Sequence, residues 1–323
     1  MAASRFHLGW FLGNSFGVHG WNQPWSGVDA RDWAQPDLHI ELAKALERAC
    51  FDCLLLEDSV FVPDNYGGSM DFYLRRALRA PKNDPLPLVP LIAQATTHLG
   101  IVPTISTSFY PPFLLARLIA TLDLMSKGRV GCNFVTSTAE RAAQNFGLDA
   151  HLEHDLRYEM ADEFVELATK LWSSWDDDAV VMDEKSGTFV DPAKVHAIDF
   201  KGRFFSSRGP LNTAQPPQGR PVLVQAGGSP QGKAFAARHM DIVIAALGAR
   251  RHATASRGTG PRSRQLQGAV RCCPDPGRDR RGGAGARATP AGPARGRARS
   301  DARDDGQPDR HRLLDLRSRC TAG

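Results

Sequence analysis

The chain has 323 residues, of which 42% are hydrophobic, so it can form one large α/β domain or two ordinary domains with a sizeable core. The net charge of +5 is unevenly distributed, because residues 249–323 contain 18 Arg and 7 Asp without Lys or Glu and carry +11, which leaves −6 for residues 1–248. The positive net charge is therefore no sign that the body of the chain binds nucleic acid, and we expect no nucleic-acid partner.

Neither a membrane segment nor a targeting segment is evident. No apolar run reaches the length of a membrane-spanning helix. Residues 1–5 lack the long apolar stretch and the cleavage site of a signal peptide. We therefore expect a soluble, cytoplasmic protein without a membrane partner.

The last segment, residues 249–323, differs sharply from the rest. It lacks Phe, Trp, Tyr, Ile, Met and Asn, so it cannot build a core and has the composition of a disordered tail. Three interpretations are open: a frameshifted sequence, a genuine disordered tail, or an Arg-rich segment that holds phosphate backbones. The frameshift is favoured, because GC-rich codons read out of frame give Arg, Ala, Gly and Pro, and because the change is abrupt.

Residues 1–248 alternate between strand-like and helix-like segments. The predicted strands are residues 6–12, 53–58, 99–107, 129–137, 221–225 and 241–246. The predicted helices are residues 37–50, 86–98, 112–127, 153–172 and 232–240. A polar insertion, residues 176–219, precedes the fifth strand. We therefore treat residues 1–248 as one domain that contains this insertion.

This alternation predicts parallel βα units, arranged either as a barrel or as a doubly wound sheet. Polar residues occur at the carboxyl ends of most of the predicted strands: Asn14, Asp58, Thr104, Ser106, Asn133, Ser137, Gln225 and Ser229. In a barrel these ends meet at one mouth, whereas a doubly wound sheet would place most of them far apart. We therefore predict an α/β fold of the TIM-like (β/α)8 type, incomplete because about six strands are found.

The segment 221–229, Pro-Val-Leu-Val-Gln-Ala-Gly-Gly-Ser, has the pattern of a buried strand that runs into glycines and a hydroxyl. Glycines let backbone N–H groups approach an anion, and the helix that follows offers unpaired donors and the positive end of its dipole. The pattern favours a phosphate site at Ser229. The alternative is that Gly227 and Gly228 form only a turn and that Ser229 only caps the helix.

Five separated motifs carry a family resemblance. They are Phe-His-Leu-Gly-Trp-Phe at 6–11, Leu-Leu-Glu-Asp-Ser at 55–59, Asn-Phe-Val-Thr-Ser at 133–137 with Ala-Gln-Asn-Phe-Gly at 143–147, His-Asp-Leu-Arg-Tyr at 154–158, and Gln-Ala-Gly-Gly-Ser at 225–229. Together they resemble the bacterial-luciferase-like flavin-dependent monooxygenases, in the branch of nitrilotriacetate monooxygenase component A and dibenzothiophene sulfone monooxygenase. The resemblance covers residues 5–247.

The resemblance implies a barrel that binds reduced FMN supplied by a separate NAD(P)H-dependent flavin reductase. It also implies that O2 is used to oxygenate a small organic substrate, with cleavage of a C–N or C–S bond. The implied FMN contacts are Asp58, Thr104, His154, Tyr158 and Ser229. The catalytic acid or base is not identified, no metal is implied, and assembly into a homo-oligomer is left open.

The implied contacts are chemically coherent. His154 and Tyr158 lie one helical turn apart, so both can donate to a phosphate that Ser229 caps from the other side. Thr104 and Asp58, at strand ends, can reach the isoalloxazine edge or the ribityl chain. Each residue also has an ordinary structural alternative: the Asp caps a helix, the Thr packs in its strand, and the His and Tyr are surface neighbours.

Two weaker site candidates and two other functions stay open. Asn133 is a further candidate for the flavin edge, and His19 is a candidate for proton handling in the first loop. A related barrel that uses the deazaflavin F420 for hydride transfer is the alternative enzyme. A non-catalytic remnant that binds flavin weakly or not at all is the alternative that the tail supports.

Overall fold

The computed structural model of the chain describes residues 7–13, 21, 32–244 and 271–272. Its strands are β1 (Gly9–Leu12), β2 (Cys53–Leu56), β3 (Gly100–Ser106), β4 (Gly131–Val135), β5 (Val180–Asp183), β6 (Thr188–Val190), β7 (Phe200–Lys201), β8 (Ser206–Ser207), β9 (Val222–Gln225), β10 (Ile242–Val243) and β11 (Arg271–Cys272). Its helices are α1 (Asp37–Arg48), α2 (Asp71–Arg75), α3 (Pro85–Ala95), α4 (Pro112–Ser126), α5 (Glu140–Asn145), α6 (His154–Trp172) and α7 (Pro230–His239), with a 3-10 turn at Pro192–Lys194.

Six parallel strands of the described chain form the main sheet, in the order β1-β2-β3-β4-β9-β10. The strand order follows the chain order, without the reversal that marks the switch point of a doubly wound sheet. The sheet curls into part of a barrel with helices outside it. The prediction of a TIM-like barrel with about six strands is therefore confirmed.

The two faces of this sheet bury different sets of apolar side chains, because successive residues of a strand point to opposite faces. The outer face packs against the helices; its buried residues include Leu54, Ile101, Cys132, Phe134 and Leu223. The inner face forms a second cluster: Cys53, Leu55, Val102, Val222, Val224 and Ile242. A Cβ at Gly131 would lie 2.9 Å from the Val222 carbonyl oxygen and 3.2 Å from a Val102 methyl group, so β4 requires glycine there to pack against its neighbours.

The predicted insertion forms two short hairpins, β5–β6 and β7–β8, beside α6. The carboxylate of Glu163 on α6 accepts hydrogen bonds from the backbone N–H groups of Arg203, Phe204 and Phe205, at 2.8, 2.9 and 2.6 Å. This contact anchors the insertion to the helix that begins with the predicted site residue His154.

The main sequence predictions are confirmed, with strands and helices slightly shorter than expected. Two helices were not predicted, α2 and α5, because five or six residues are too few to show a helical repeat. Within the last segment, Arg271–Cys272 pair antiparallel with β10, and the interpretations given for residues 249–323 stay predictions. Asn14, His19 and the remainder of that segment lie outside the described residues. Among the helices of the described chain, none combines the length and the apolar character of a membrane span.

We predict that Asp123 makes stability depend on pH. Its side chain is fully buried in α4 and accepts hydrogen bonds from Gln218 Nε2, at 2.7 Å, and from the backbone N–H of Val130, at 3.2 Å. Burial raises the pKa of this carboxyl from 3.8 to about 6. Because the folded chain then keeps a proton that the unfolded chain releases, the stabilisation is complete below pH 4 and is lost as the pH rises through 6.

Asp123→Asn removes this titration while its amide oxygen can still accept from Gln218. Between pH 7 and pH 5 the wild-type chain should gain about 1 kcal/mol of unfolding free energy relative to the variant, measured by urea denaturation. Parallel pH profiles of the two proteins would show that Asp123 does not titrate as described.

Candidate functional site

Two hydroxyl groups meet at the first turn of α7. Ser229 is the N-cap of this helix, and its Oγ accepts a hydrogen bond of 3.0 Å from the backbone N–H of Gly232. A Cβ added to Gly232 would lie 2.7 Å from the hydroxyl oxygen of Tyr158 and 3.1 Å from Ser229 Oγ. Gly232 therefore leaves the space in which the hydroxyls of α6 and α7 come together.

His154 extends this group of donors, because it opens α6 one turn before Tyr158. The two rings are 5.2 Å apart, edge to face, and the ring of Tyr158 packs in the same way on Phe235 of α7 at 5.8 Å. Asp155 joins the two helix starts: it lies 2.7 Å from His154 Nδ1 and accepts from Gln231 Nε2 at 3.1 Å. The amino termini of α6 and α7 thus face the same region, which favours a bound anion.

A buried polar pair lies on the inner face of the sheet. Asn133 of β4 stands opposite Thr104 of β3, and its Nδ2 donates to Thr104 Oγ1 at 2.8 Å. Both residues are buried, with exposures of 3% and 5%. The amide oxygen of Asn133 has no hydrogen-bond partner within the residues that the structure describes. A buried acceptor without a partner is costly, so this atom is suited to receive a donor from a ligand.

Asp58 belongs to a third group, at the end of β2. Lys82 Nζ lies 3.0 Å from Glu57 Oε2 and 3.7 Å from Asp58 Oδ1. Burial raises the pKa of Asp58 to about 6, although the ammonium of Lys82 acts in the opposite direction. Burial, together with the carboxylates of Asp84 and Asp58, raises the pKa of Tyr110 to about 12, so its hydroxyl stays protonated at neutral pH.

The structure brings the predicted residues together in part. Tyr158, His154 and Ser229 form one group, whereas Thr104 and Asp58 belong to separate groups, and no hydrogen bond or ion pair of the described chain joins the three groups. All three lie at the edge where β2, β3, β4 and β9 end, which we call the carboxyl edge.

Helix capping was the ordinary structural role considered for Ser229 and for Asp58, and the structure shows it for Ser229 but not for Asp58. Ser229 does cap α7, but its hydroxyl hydrogen stays available for donation. Asp58 caps no helix, since the next described helix begins at Asp71.

Sequence reasoning missed Lys82, Tyr110 and Gly232 as parts of these groups. Lys82 and Tyr110 lie in connecting segments, where no periodic pattern marks a side chain that returns to the site. Gly232 could have been found from the sequence. A glycine in the first turn of a predicted helix indicates that another group packs closely against the backbone there.

A model of the luciferase-like monooxygenase family matches residues 7–265. The chain belongs to this family. The match extends beyond residue 247, where the motif resemblance was expected to end. It includes Asp58, Thr104, His154, Tyr158 and Ser229.

Individual relatives agree with this assignment. Dibenzothiophene-sulfone monooxygenase of Rhodococcus erythropolis (strain XP) is 44% identical over 244 residues, which are 74% of this chain and 53% of the relative. Nitrilotriacetate monooxygenase component A of Aminobacter aminovorans is 40% identical over 255 residues, which are 76% of this chain and 54% of the relative. The chain spans about half the length of these curated relatives.

A solved structure of similar fold carries a flavin. The crystal structure of a riboflavin lyase with modified FMN and its substrate riboflavin matches with a TM-score of 0.68 and 38% identity, over 74% of this chain and 54% of that chain. This is a similarity of fold and sequence to a protein whose structure includes a modified FMN.

We predict that the Thr104–Asn133 pair lowers stability. The double variant Thr104→Val, Asn133→Leu removes both polar partners and replaces them with apolar groups of similar size. It should therefore unfold at equal or higher denaturant concentration, with a gain of up to about 1 kcal/mol in urea titrations without ligand. The single variant Thr104→Val leaves the Asn133 amide without its acceptor and is expected to be destabilised. A clear loss of stability in the double variant would mean that the Asn133 oxygen has a partner in solution.

Proposed function

We propose that the chain binds FMN along the carboxyl edge and acts as the oxygenating component of a two-component monooxygenase. The observation that carries this proposal is the meeting of the Tyr158 and Ser229 hydroxyls at the first turn of α7, beside His154, in a chain of the luciferase-like monooxygenase family. The residues present fit FMN in charge and in hydrogen-bonding character.

The phosphate would lie at the start of α7. Ser229 Oγ can donate its hydrogen, the Tyr158 hydroxyl can donate, and the imidazole of His154 adds a third donor. The two helix amino termini favour a negative charge at this place. The negative charge of Asp155 would repel the phosphate, but the carboxylate of Asp155 is already engaged by His154 and Gln231.

The polar part of the isoalloxazine ring would lie against Thr104 and Asn133. The unpartnered oxygen of Asn133 can accept from a ring N–H, and this contact would remove the cost of leaving that oxygen buried. Asp58, held near Lys82, would orient the ribityl chain or the ring edge. When bound, reduced FMN would be the group that reacts with O2. The chain would contribute binding, orientation and exclusion of water.

The flavin would be reduced elsewhere, by a separate NAD(P)H-dependent flavin reductase. No dinucleotide-binding fingerprint follows the first predicted strand, and one relative carries the name component A, which supports a divided system. Two relatives are named for a sulfone and for nitrilotriacetate, so we extend the proposal to cleavage of a C–S or C–N bond in a small organic substrate.

Variants of the two hydroxyls test the phosphate site. Ser229→Ala and Tyr158→Phe should each weaken FMN binding by about 1–3 kcal/mol, the scale of a lost hydrogen bond to a charged group. Fluorescence titration of FMN gives the affinity. Tyr66→Phe and Ser186→Ala are matched controls, since Tyr66 is exposed and packs on Phe72 and Ser186 lies in the β5–β6 hairpin.

Ser229→Asp separates the cap from the phosphate contact. Aspartate caps a helix as well as serine does, so stability should be kept, but its charge should repel the phosphate and reduce the affinity further than alanine does. If all three site variants bind FMN like the wild-type chain, the phosphate lies elsewhere.

The reaction class is tested with purified components. We expect no NADH consumption by the chain alone, and oxygenated product only when reduced FMN is supplied by a separate reductase. Dibenzothiophene sulfone and nitrilotriacetate are the first substrates to assay, with the reductase alone as the control. Direct stoichiometric NADH oxidation by the purified chain would contradict the proposal, and turnover with reduced F420 without O2 would support the F420 alternative.

A further inference from the structure

A cleft of about 770 Å³ lies between the segment that follows β2 and helix α5. Its lining combines aromatic and apolar side chains with charged ones: Phe61, Pro63, Asp64, Asn65, Tyr73, Arg79, Ala139, Glu140, Arg141 and Gln144. We call it the Arg79 cleft. The proposed flavin contacts do not use any of these residues.

The Arg79 cleft lies beside the proposed flavin site. Its two walls leave the ends of β2 and β4, the strands on either side of β3, which carries Thr104. The walls are joined by two contacts: Arg141 Nε donates to Asp64 Oδ2 at 2.7 Å, and Asn145 Nδ2 donates to the carbonyl of Val60 at 2.8 Å. A molecule in this cleft would therefore lie at the carboxyl edge.

The charges of the cleft are unequally compensated. Asp64 is paired with Arg141, whose NH1 also donates to Gln144 at 2.9 Å. Glu140 accepts from the backbone N–H of His151 at 2.9 Å. By contrast, Arg79 makes no hydrogen bond or ion pair within the part of the chain that the structure describes. Arg79 is exposed, and its guanidinium thus lines the cleft with its donors open to solvent and available to a ligand.

The backbone of Arg79 adds a second, independent observation. Its φ is +64°, in the left-handed region, where a side chain is disfavoured and glycine is usual. Local stability would be served better by glycine at this position. Strain of this kind is typical of functional positions, where the side chain is needed in a particular place.

We propose that the Arg79 cleft binds the anionic group of the substrate, a carboxylate or a sulfonate, through the guanidinium of Arg79. The planar fork of five donors suits such oxyanions, and Arg141 can contribute its remaining NH2 group. Phe61, Pro63 and Tyr73 offer apolar surface to the body of the molecule. The assignment of this anion as part of the substrate rests on the proposed monooxygenase function.

Binding of simple probes tests the cleft independently of turnover. Calorimetry with 2-naphthoate, 2-naphthalenesulfonate and the uncharged 2-naphthamide compares an aromatic body with and without the charge. The wild-type chain should bind the two anions at least about tenfold more tightly than the amide, and Arg79→Gln should lose about tenfold for the anions only. Arg79→Lys should retain part of the preference, because it keeps the charge but not the fork.

Two further variants separate recognition from folding. Arg79→Gly relieves the left-handed backbone, so it should melt at the same or a higher temperature while it loses the preference for anions. Arg75→Gln in α2 is the matched control, since Arg75 is exposed, pairs with Asp71 at 3.5 Å and does not line the cleft. It should bind all three probes like the wild-type chain.

Failure of the anion site can be distinguished from failure of the flavin site, because the two sites are tested with different ligands. FMN titration of the same Arg79 variants should give the wild-type affinity, because Arg79 lies outside the proposed flavin contacts. Equal binding of naphthoate and naphthamide to the wild-type chain, or an unchanged preference in Arg79→Gln, would overturn the anion site. A wild-type chain that binds the anions but not FMN would leave the cleft standing and contradict the flavin site.

Discussion

The common direction of the six parallel strands of the main sheet is the constraint on which the rest of the structure depends. Because these strands are parallel, each chain segment leaves the sheet at the same edge, and the helices that follow begin near it. Helix amino termini, strand-end hydroxyls and amides therefore accumulate at one place without any of them being close in sequence. Tyr158 and Ser229 are 71 positions apart, yet they meet at Gly232 because α6 and α7 both start at this edge.

The opposite edge of the sheet shows different chemistry. The guanidinium of Arg129, just before β4, donates to the carbonyls of Ser126, Leu99, Ala93 and Thr96, and to the Thr96 hydroxyl. The carboxylate of Glu47 accepts from the backbone N–H groups of Thr97, His98 and Leu99, just before β3. Arg129 is buried and Glu47 is half-buried, and a buried charge stabilises a fold only when it is fully hydrogen-bonded, as that of Arg129 is here. This edge ties helices to strands and has the character of a structural end.

Sequence patterns were sufficient for the barrel because each strand and long helix has its own periodic apolar pattern, and because polar residues marked the strand ends. The family resemblance brought His154, Tyr158 and Ser229 into one group, and the helical spacing of His154 and Tyr158 agreed with it. The contribution of Lys82 depends on a long connection that returns to β2, and that of Arg79 on the path after a five-residue helix. Neither path leaves a periodic signal, so both residues had to be found in three dimensions.

Several departures from local stability lie at the carboxyl edge. The buried oxygens of Asn133 and Gln225 lack partners within the described residues, Asp58 is a half-buried carboxyl with a raised pKa, and Arg79 keeps a left-handed backbone. Each feature lowers the stability of the ligand-free chain, and each could be relieved by a bound group: a donor for an amide oxygen, or an anion for the guanidinium. Because a ligand that binds only the folded chain adds its binding free energy to stability, a site of this kind costs the fold least when the site is filled. The strain and the unpaired groups at this edge therefore support the proposal that a ligand binds here, on physical grounds that are independent of the family match.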